Sequence, residues 1–156
     1  MTTTAPPQRL QSWISFLRSH AAITRELSAQ LQREHGLTLN DYEVLLHLSR
    51  AEGRRMRRVD LAERLILTAS GVTRLLDGLE AAGLVERASC ASDRRVTYAV
   101  LTAAGRTKLH EASESHMADI RAYFEGRFSS EELKQLAALL GRLPGAADAA
   151  GEDCAA

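Results

Sequence analysis

Apolar residues recur at helical spacing near the start of the chain. Leu10, Trp13, Ile14, Leu17, Ala21, Thr24, Leu27 and Leu31 form a near-heptad stripe. The stripe predicts a helix over residues 8–35, stopped by Gly36. At 1.5 Å per residue such a helix is about 42 Å long. That is more than one small domain covers, so its far part predicts packing against a second copy of the chain. A second helix is predicted over residues 40–51, with Asn40 and Glu43 at capping-box spacing and Val44, Leu45 and Leu48 inward. The run Arg54-Arg55-Met56-Arg57-Arg58 follows, either as a solvated turn or as a phosphate clamp. Asp60, with Glu63 three residues on, is placed to cap a short helix over 61–66 that turns Leu61, Ala62 and Leu65 inward.

A further helix starts at a cap supplied by Thr68 or Ser70. Val72, Leu75, Leu76 and Leu79 make its apolar face, while Ser70, Thr73, Arg74 and Asp77 lie on other faces. Gly83 stops it, where a left-handed residue costs least. Two short strands follow, over 84–88 and 95–101, joined by a polar loop with Ser89, Ser92, Asp93 and Arg94. A long helix runs from Thr102 to about residue 127 on Leu109, Ala112, Met117, Ile120, Tyr123 and Phe124. Ser129 and Glu132 form a capping box for a last helix carrying Leu133, Leu136, Leu139, Leu140 and Leu143, ended by Pro144-Gly145.

Two short helices in tight succession, a glycine stop and a ribbon with arginines at its tip make a winged helix-turn-helix. The predicted fold is mainly α with a small antiparallel β wing. The winged helix-turn-helix domain occupies 37–105, flanked by N- and C-terminal dimerisation helices at 8–35 and 106–143. Residues 1–7 read as a flexible tail and 144–156, Ala- and acid-rich, as a disordered one. The reading helix suits the major groove, and the ribbon tip can reach the backbone or the minor groove.

Charge sharpens this picture. Twenty Lys and Arg balance twenty Asp and Glu over 156 residues, which argues against a simple polycationic binder. Yet residues 50–106 hold eleven arginines against seven acids, a local balance of +4. A basic middle between acidic flanks is the footprint expected where only the middle meets phosphate. The two cysteines, Cys90 and Cys154, have no metal-type spacing and suit a reducing compartment. Without a signal peptide or an apolar run of about 18 residues, a cytoplasmic protein with no membrane partner is expected.

The segment LAERLILTASGVTRLLDGLEAAGLVERASCASDRRVTYAVLTAAGR resembles the MarR (multiple antibiotic resistance regulator) family. The densest likeness lies in Val72-Thr73-Arg74-Leu75, Leu79-Glu80, Gly83-Leu84-Val85, Asp93-Arg94-Arg95 and Leu101-Thr102 with Gly105, and the helix order extends it over about residues 10–143. Two positions depart from it. Gly78 stands where relatives are often basic, and Ser89-Cys90-Ala91 where they usually carry an acid and a proline. The resemblance implies a dimeric transcriptional regulator, usually released by a small molecule, on double-stranded DNA with an inverted-repeat operator. It places Ser70, Thr73 and Arg74 in the major groove and Thr68 and Ala69 near phosphate or base edges. Arg95 would reach the minor groove, Arg94 would support it or touch the backbone, and Arg57 and Arg58 would clamp phosphate. Asp93 would orient an arginine or close the wing turn.

The resemblance also implies an effector cleft, for which Trp13, Phe16, His20, Tyr42 and His47 are candidate lining. A small aromatic or anionic effector fits such residues; ordinary packing is the competing reading. His110 and Glu114 share a helical face but His116 turns away, so neither a metal nor another cofactor is predicted. Cys90, beside Arg87, Arg94 and Arg95, is either a passive small residue or a thiolate poised to sense oxidants. No catalytic triad, carboxylate pair or phosphate-cradling glycine loop is present, which argues against an enzyme. The alternatives are an interaction or architectural module and a thiol-based regulator acting through Cys90.

Overall fold

The computed structural model describes residues 8–65, 67–90, 93 and 95–144. The tails, Ile66, Ala91, Ser92 and Arg94 lie outside the described residues. Helices α1 (Gln8–His35), α2 (Leu39–Arg50), α3 (Arg58–Arg64), α4 (Ala69–Ala81), α5 (Ala103–Glu125) and α6 (Ser130–Leu140) are joined by strands β1 (Arg55–Arg57), β2 (Val85–Ser89) and β3 (Thr97–Leu101). The chain divides into two compact units, Met1–Leu109 and His110–Ala156.

In the first unit, α2 is the central post. Its Val44, Leu45 and Leu48 are completely buried, and it meets α1, α4 and β3. Each such side chain contributes about 1.5–3 kcal/mol relative to leaving it in water. Leu27 and Leu31 of α1, Leu61 of α3, and Val72, Leu76 and Leu79 of α4 close the core around it. The first half of α1 stays outside: Leu10, Trp13, Phe16 and Leu17 are all exposed.

Three local features differ from the sequence-based expectation. Helix α2 is capped by Thr38, not Asn40: the Asp41 backbone N–H donates to Thr38 Oγ1 (3.2 Å) and the Thr38 N–H to Asp41 Oδ2 (2.7 Å). Two overlapping cap signals compete, and buried Leu37 leaves Thr38 as the extended residue before the helix. Helix α3 begins at Arg58 with no side-chain cap, because the chain enters it directly from a strand. Asp60 therefore sits in the first turn, where a carboxylate still complements the helix dipole. Part of the arginine run is itself that strand. Arg55, Met56 and Arg57 pair antiparallel with Val100, Ala99 and Tyr98, giving a sheet of order β1-β3-β2.

The turn from α4 into β2 is locked on three sides. Gly83 takes φ 71°, its N–H donates to Glu80 O (2.9 Å), and the Leu84 N–H donates to Leu79 O (2.9 Å), a Schellman stop. Thr102 then ties this turn to β3 and α5. Its N–H donates to Leu84 O (3.2 Å), its hydroxyl donates to Gly83 O (2.8 Å), and the same oxygen accepts from the Gly105 N–H (2.9 Å). Gly105 has no room for a side chain, since a Cβ there would overlap the Leu84 carbonyl oxygen and lie 2.7 Å from Leu101 Cδ1.

In the second unit, α6 opens on the expected capping box, with the Glu132 N–H on Ser129 Oγ (3.3 Å) and the Ser129 N–H on Glu132 Oε2 (2.8 Å). Those bonds to Ser129 hold the Glu132 carboxyl below its ordinary pKa. Helix α6 ends at Leu140, a turn before Pro144, so Leu143 lies beyond it. Leu139, Leu140 and Leu143 are exposed. Phe124 contacts Tyr123 edge-on (5.8 Å between centroids) and stacks near Phe128 (6.4 Å), while the Arg127 guanidinium lies 3.7 Å over the Tyr123 ring. Among the described residues, no helix is long and apolar enough to cross a membrane.

Two stability predictions follow from these contacts. Gly105→Ala should lower unfolding free energy by about 1–3 kcal/mol or more through overpacking. Gly78→Ala, where a Cβ meets nothing within 4 Å, should raise it by roughly 0.5–1 kcal/mol. Urea titrations of both variants check the pair, and equal midpoints would contradict it. His116, 4% exposed, is pushed below its ordinary pKa by burial, opposed by the charge of Asp119. A histidine with a depressed folded pKa takes up its proton on unfolding. Its stability penalty is therefore absent well above about pH 6.5 and grows as pH falls through that value. Between about pH 7.5 and pH 5.5 the wild type should lose more stability than His116→Gln. Parallel loss in both would exclude this histidine as the cause.

Candidate nucleic-acid interface

The N-terminal turn of α4 is built to stand free. Thr68 adopts an extended conformation (φ −71°, ψ 156°), and its hydroxyl accepts the Gly71 N–H (3.1 Å). Thr68 is thus the cap, and Ser70 lies beside it with the two hydroxyls 3.2 Å apart. Ala69, Ser70 and Arg74 are exposed on the outer face. Thr73 is half-buried and already engaged: its hydroxyl donates to Ala69 O (2.8 Å) and accepts from Arg58 Nη2. Asp77, expected to be unoccupied, is paired with Arg87.

The wing rises beside this helix. Asp93 Oδ1 accepts the Arg95 N–H (2.9 Å), Asp93 O accepts the Val96 N–H (3.0 Å), and Val96 O accepts the Cys90 N–H (3.1 Å). Asp93 therefore closes the turn through its carboxylate, with Arg95 exposed just after it. Arg94 lies outside the described residues. Between the tip end of the wing and the helices α3 and α4 is an open cleft of about 470 Å³, lined by Arg57, Arg58, Thr73, Arg95 and Thr97 among others.

The arginines here fall into two groups. Arg57 is tied by Nε and Nη2 to the Asp60 carboxylate, both at 2.8 Å, and this hydrogen-bonded pairing raises its already high pKa. Arg87 is held by Glu80 and Asp77, with the same consequence. Among the described residues, none of the ion pairs involves Arg58, Arg74 or Arg95. Those three cations retain donors for an external anion, and Arg's planar fork suits phosphate or a guanine edge. Cys90 is half-buried, and Arg87, one of the three cations credited with activating it, is committed to carboxylates.

Away from this surface, Trp13, Phe16 and His20 line up along α1, with successive ring centroids 6.5 and 6.4 Å apart, all three exposed. Tyr42 is in the core and His47 is half-buried, both on α2. Among the described residues, no group of three or more His, Cys, Asp or Glu is placed to hold a metal. Two elements of the interface escaped the sequence: strand β1, and the link from Arg87 to α4.

The geometry can be set beside known proteins. A family model described as MarR family matches residues 35–96. AbsC, a MarR family transcriptional regulator of Streptomyces coelicolor, is 34% identical, with 97% of this chain and 100% of that one covered and a TM-score of 0.78. The chain belongs to the MarR family. A second MarR family regulator from the same organism, Sco3205, was solved in complex with DNA; it is 27% identical over 93% of this chain and 94% of its own, with a TM-score of 0.78. The transcriptional repressor YetL of Bacillus subtilis is 32% identical over 108 residues, which span 69% of this chain and 64% of YetL.

In this MarR chain, Asp60 competes with any phosphate for Arg57. Asp60→Asn should release that guanidinium. Affinity for duplex DNA should rise, and the slope of log affinity against log salt should steepen by about one unit. An unchanged slope would mean that Arg57 points away from the bound duplex.

Proposed function

We propose that the protein is a dimeric, sequence-specific DNA-binding transcriptional regulator that represses its target and is released by a small-molecule effector. The observation that carries this reading is the cleft between α4 and the wing, lined by Arg58 and Arg95, which among the described residues have no carboxylate partner, while Arg74 projects from α4. In the bound state the exposed start of α4, with Thr68, Ala69, Ser70, Thr73 and Arg74, enters the major groove. Arg95 enters the adjacent minor groove, whose negative potential is greatest in narrow A·T tracts. Arg94 and Arg58 hold the backbone.

Dimerisation is supported by two unpartnered apolar faces, one at Leu10, Trp13 and Leu17 on α1, the other at Leu139, Leu140 and Leu143. A two-fold dimer presents two reading helices about one turn of DNA apart, roughly 34 Å. Repression is favoured because YetL is described as a repressor. The aligned rings of Trp13, Phe16 and His20 suit a small aromatic or anionic effector, and in this reading Tyr42 and His47 of α2 complete its lining.

Selection of genomic fragments by the purified protein, followed by footprinting, tests the proposal. An inverted repeat with half-sites about one turn apart is expected. Arg95→Ala should weaken binding to it by roughly tenfold or more at constant salt. A folded, dimeric protein that enriches no sequence under reducing conditions would overturn the reading.

A further inference from the structure

One guanidinium links α4 to the middle of the wing. Arg87, in the middle of β2, donates Nε to Glu80 Oε1 (2.6 Å) and Nη2 to Asp77 Oδ1. The two carboxylates stand three residues apart on α4 and so share one face of the helix. Below and beside this point the wing is anchored by backbone: the Gly83 stop, the bonds of Thr102, and the pairing of β3 with β1 as far as Tyr98. Above it, the bonds of Asp93, Val96 and Cys90 close the turn within the wing itself. Toward the tip, Arg95, Val96 and Thr97 border the open cleft rather than packed core.

Beyond Ala88 and its partner Tyr98 the ribbon is two-stranded and stands as a cantilever. Three steps along the chain from Arg87 reach Cys90, about 10 Å at the rise of a strand. A tilt of about 10° at Arg87 would move Cys90 by about 1.7 Å, enough to break a hydrogen bond. Ion pairs as exposed as these, with Arg87 at 42%, add little to global stability. They can still select one tilt among several of nearly equal energy.

Resting on the DNA-reading function proposed above, we infer that Arg87, clamped by Asp77 and Glu80, is the positioning residue that sets the wing at the angle its tip needs to enter the minor groove. Arg87 acts through the wing and touches no base. The clamp also explains how a recognition helix tolerates Asp77 on its exposed side, since the paired guanidinium offsets a charge that would otherwise repel phosphate.

The test is the double variant Asp77→Asn with Glu80→Gln. It removes the clamp and also removes two negative charges beside the DNA. Electrostatics alone therefore forecasts equal or tighter binding, whereas loss of wing position forecasts weaker binding. On the operator selected by the wild type, affinity should fall by about fivefold to tenfold, with the thermal midpoint little changed. At saturating protein, hydroxyl-radical protection of the minor groove flanking each half-site should disappear while major-groove methylation protection persists. Arg87→Lys, which keeps the charge but not the fork, should retain part of the flanking protection. Full flanking protection by the double variant would overturn the inference and leave the regulator intact. A wild type that protects no operator would remove the function on which the inference stands.

Discussion

Thr102 joins three elements with one residue. Its amide, its hydroxyl proton and its hydroxyl lone pair are each spent on a different group: Leu84 O, Gly83 O and the Gly105 N–H. The stop of α4, the exit of β3 and the start of α5 are thereby fixed against one another. The absence of a side chain at Gly105 brings the first turn of α5 onto the Leu84 carbonyl. The wing depends on this knot, because β2 and β3 both leave from it. Thr102 and Gly105 thus each have a physical reason here: a cap hydroxyl, and a helix position that tolerates no Cβ.

The neutral overall charge conceals a division of labour among cations. Asp60 neutralises Arg57, and Asp77 and Glu80 share Arg87. Arg58, Arg74 and Arg95 keep their charge for a partner. A count of arginines along the sequence treats all five alike. Only the fold distinguishes a guanidinium that shapes the protein from one that can bind an anion, because the decisive carboxylates arrive from neighbouring turns and strands.

What the sequence disclosed followed the range of the signal. Helix α1 could be read because a stripe of eight apolar positions has one period and one glycine stop. Helix α6 could be read because Ser129 and Glu132 have no rival nearby. Helix α2 was misplaced at its start because Thr38–Asp41 and Asn40–Glu43 offer the same motif two residues apart, and a buried Leu37 decides between them. Strand β1 was invisible: three residues, two of them arginine, find their partners more than forty positions later in β3. Of the surface around α4, the exposed first turn and the wing-closing Asp93 were legible as local chemistry. The engagement of Thr73 by Arg58 and of Asp77 by Arg87 was not, since each joins separate elements.

The order β1-β3-β2 leaves both outer strands of the sheet with unpaired backbone edges, the usual template for runaway strand addition. Here the hazard is small. Strand β1 is only three residues long, with exposed Arg55 and Arg57 on either side of Met56. Arg55 lies across the Tyr98 ring, 5.1 Å from its centroid. A second chain approaching that edge in search of hydrogen bonds meets two positive charges and little length to grip. The same arginines that were read as phosphate clamps thus also guard this edge against aggregation.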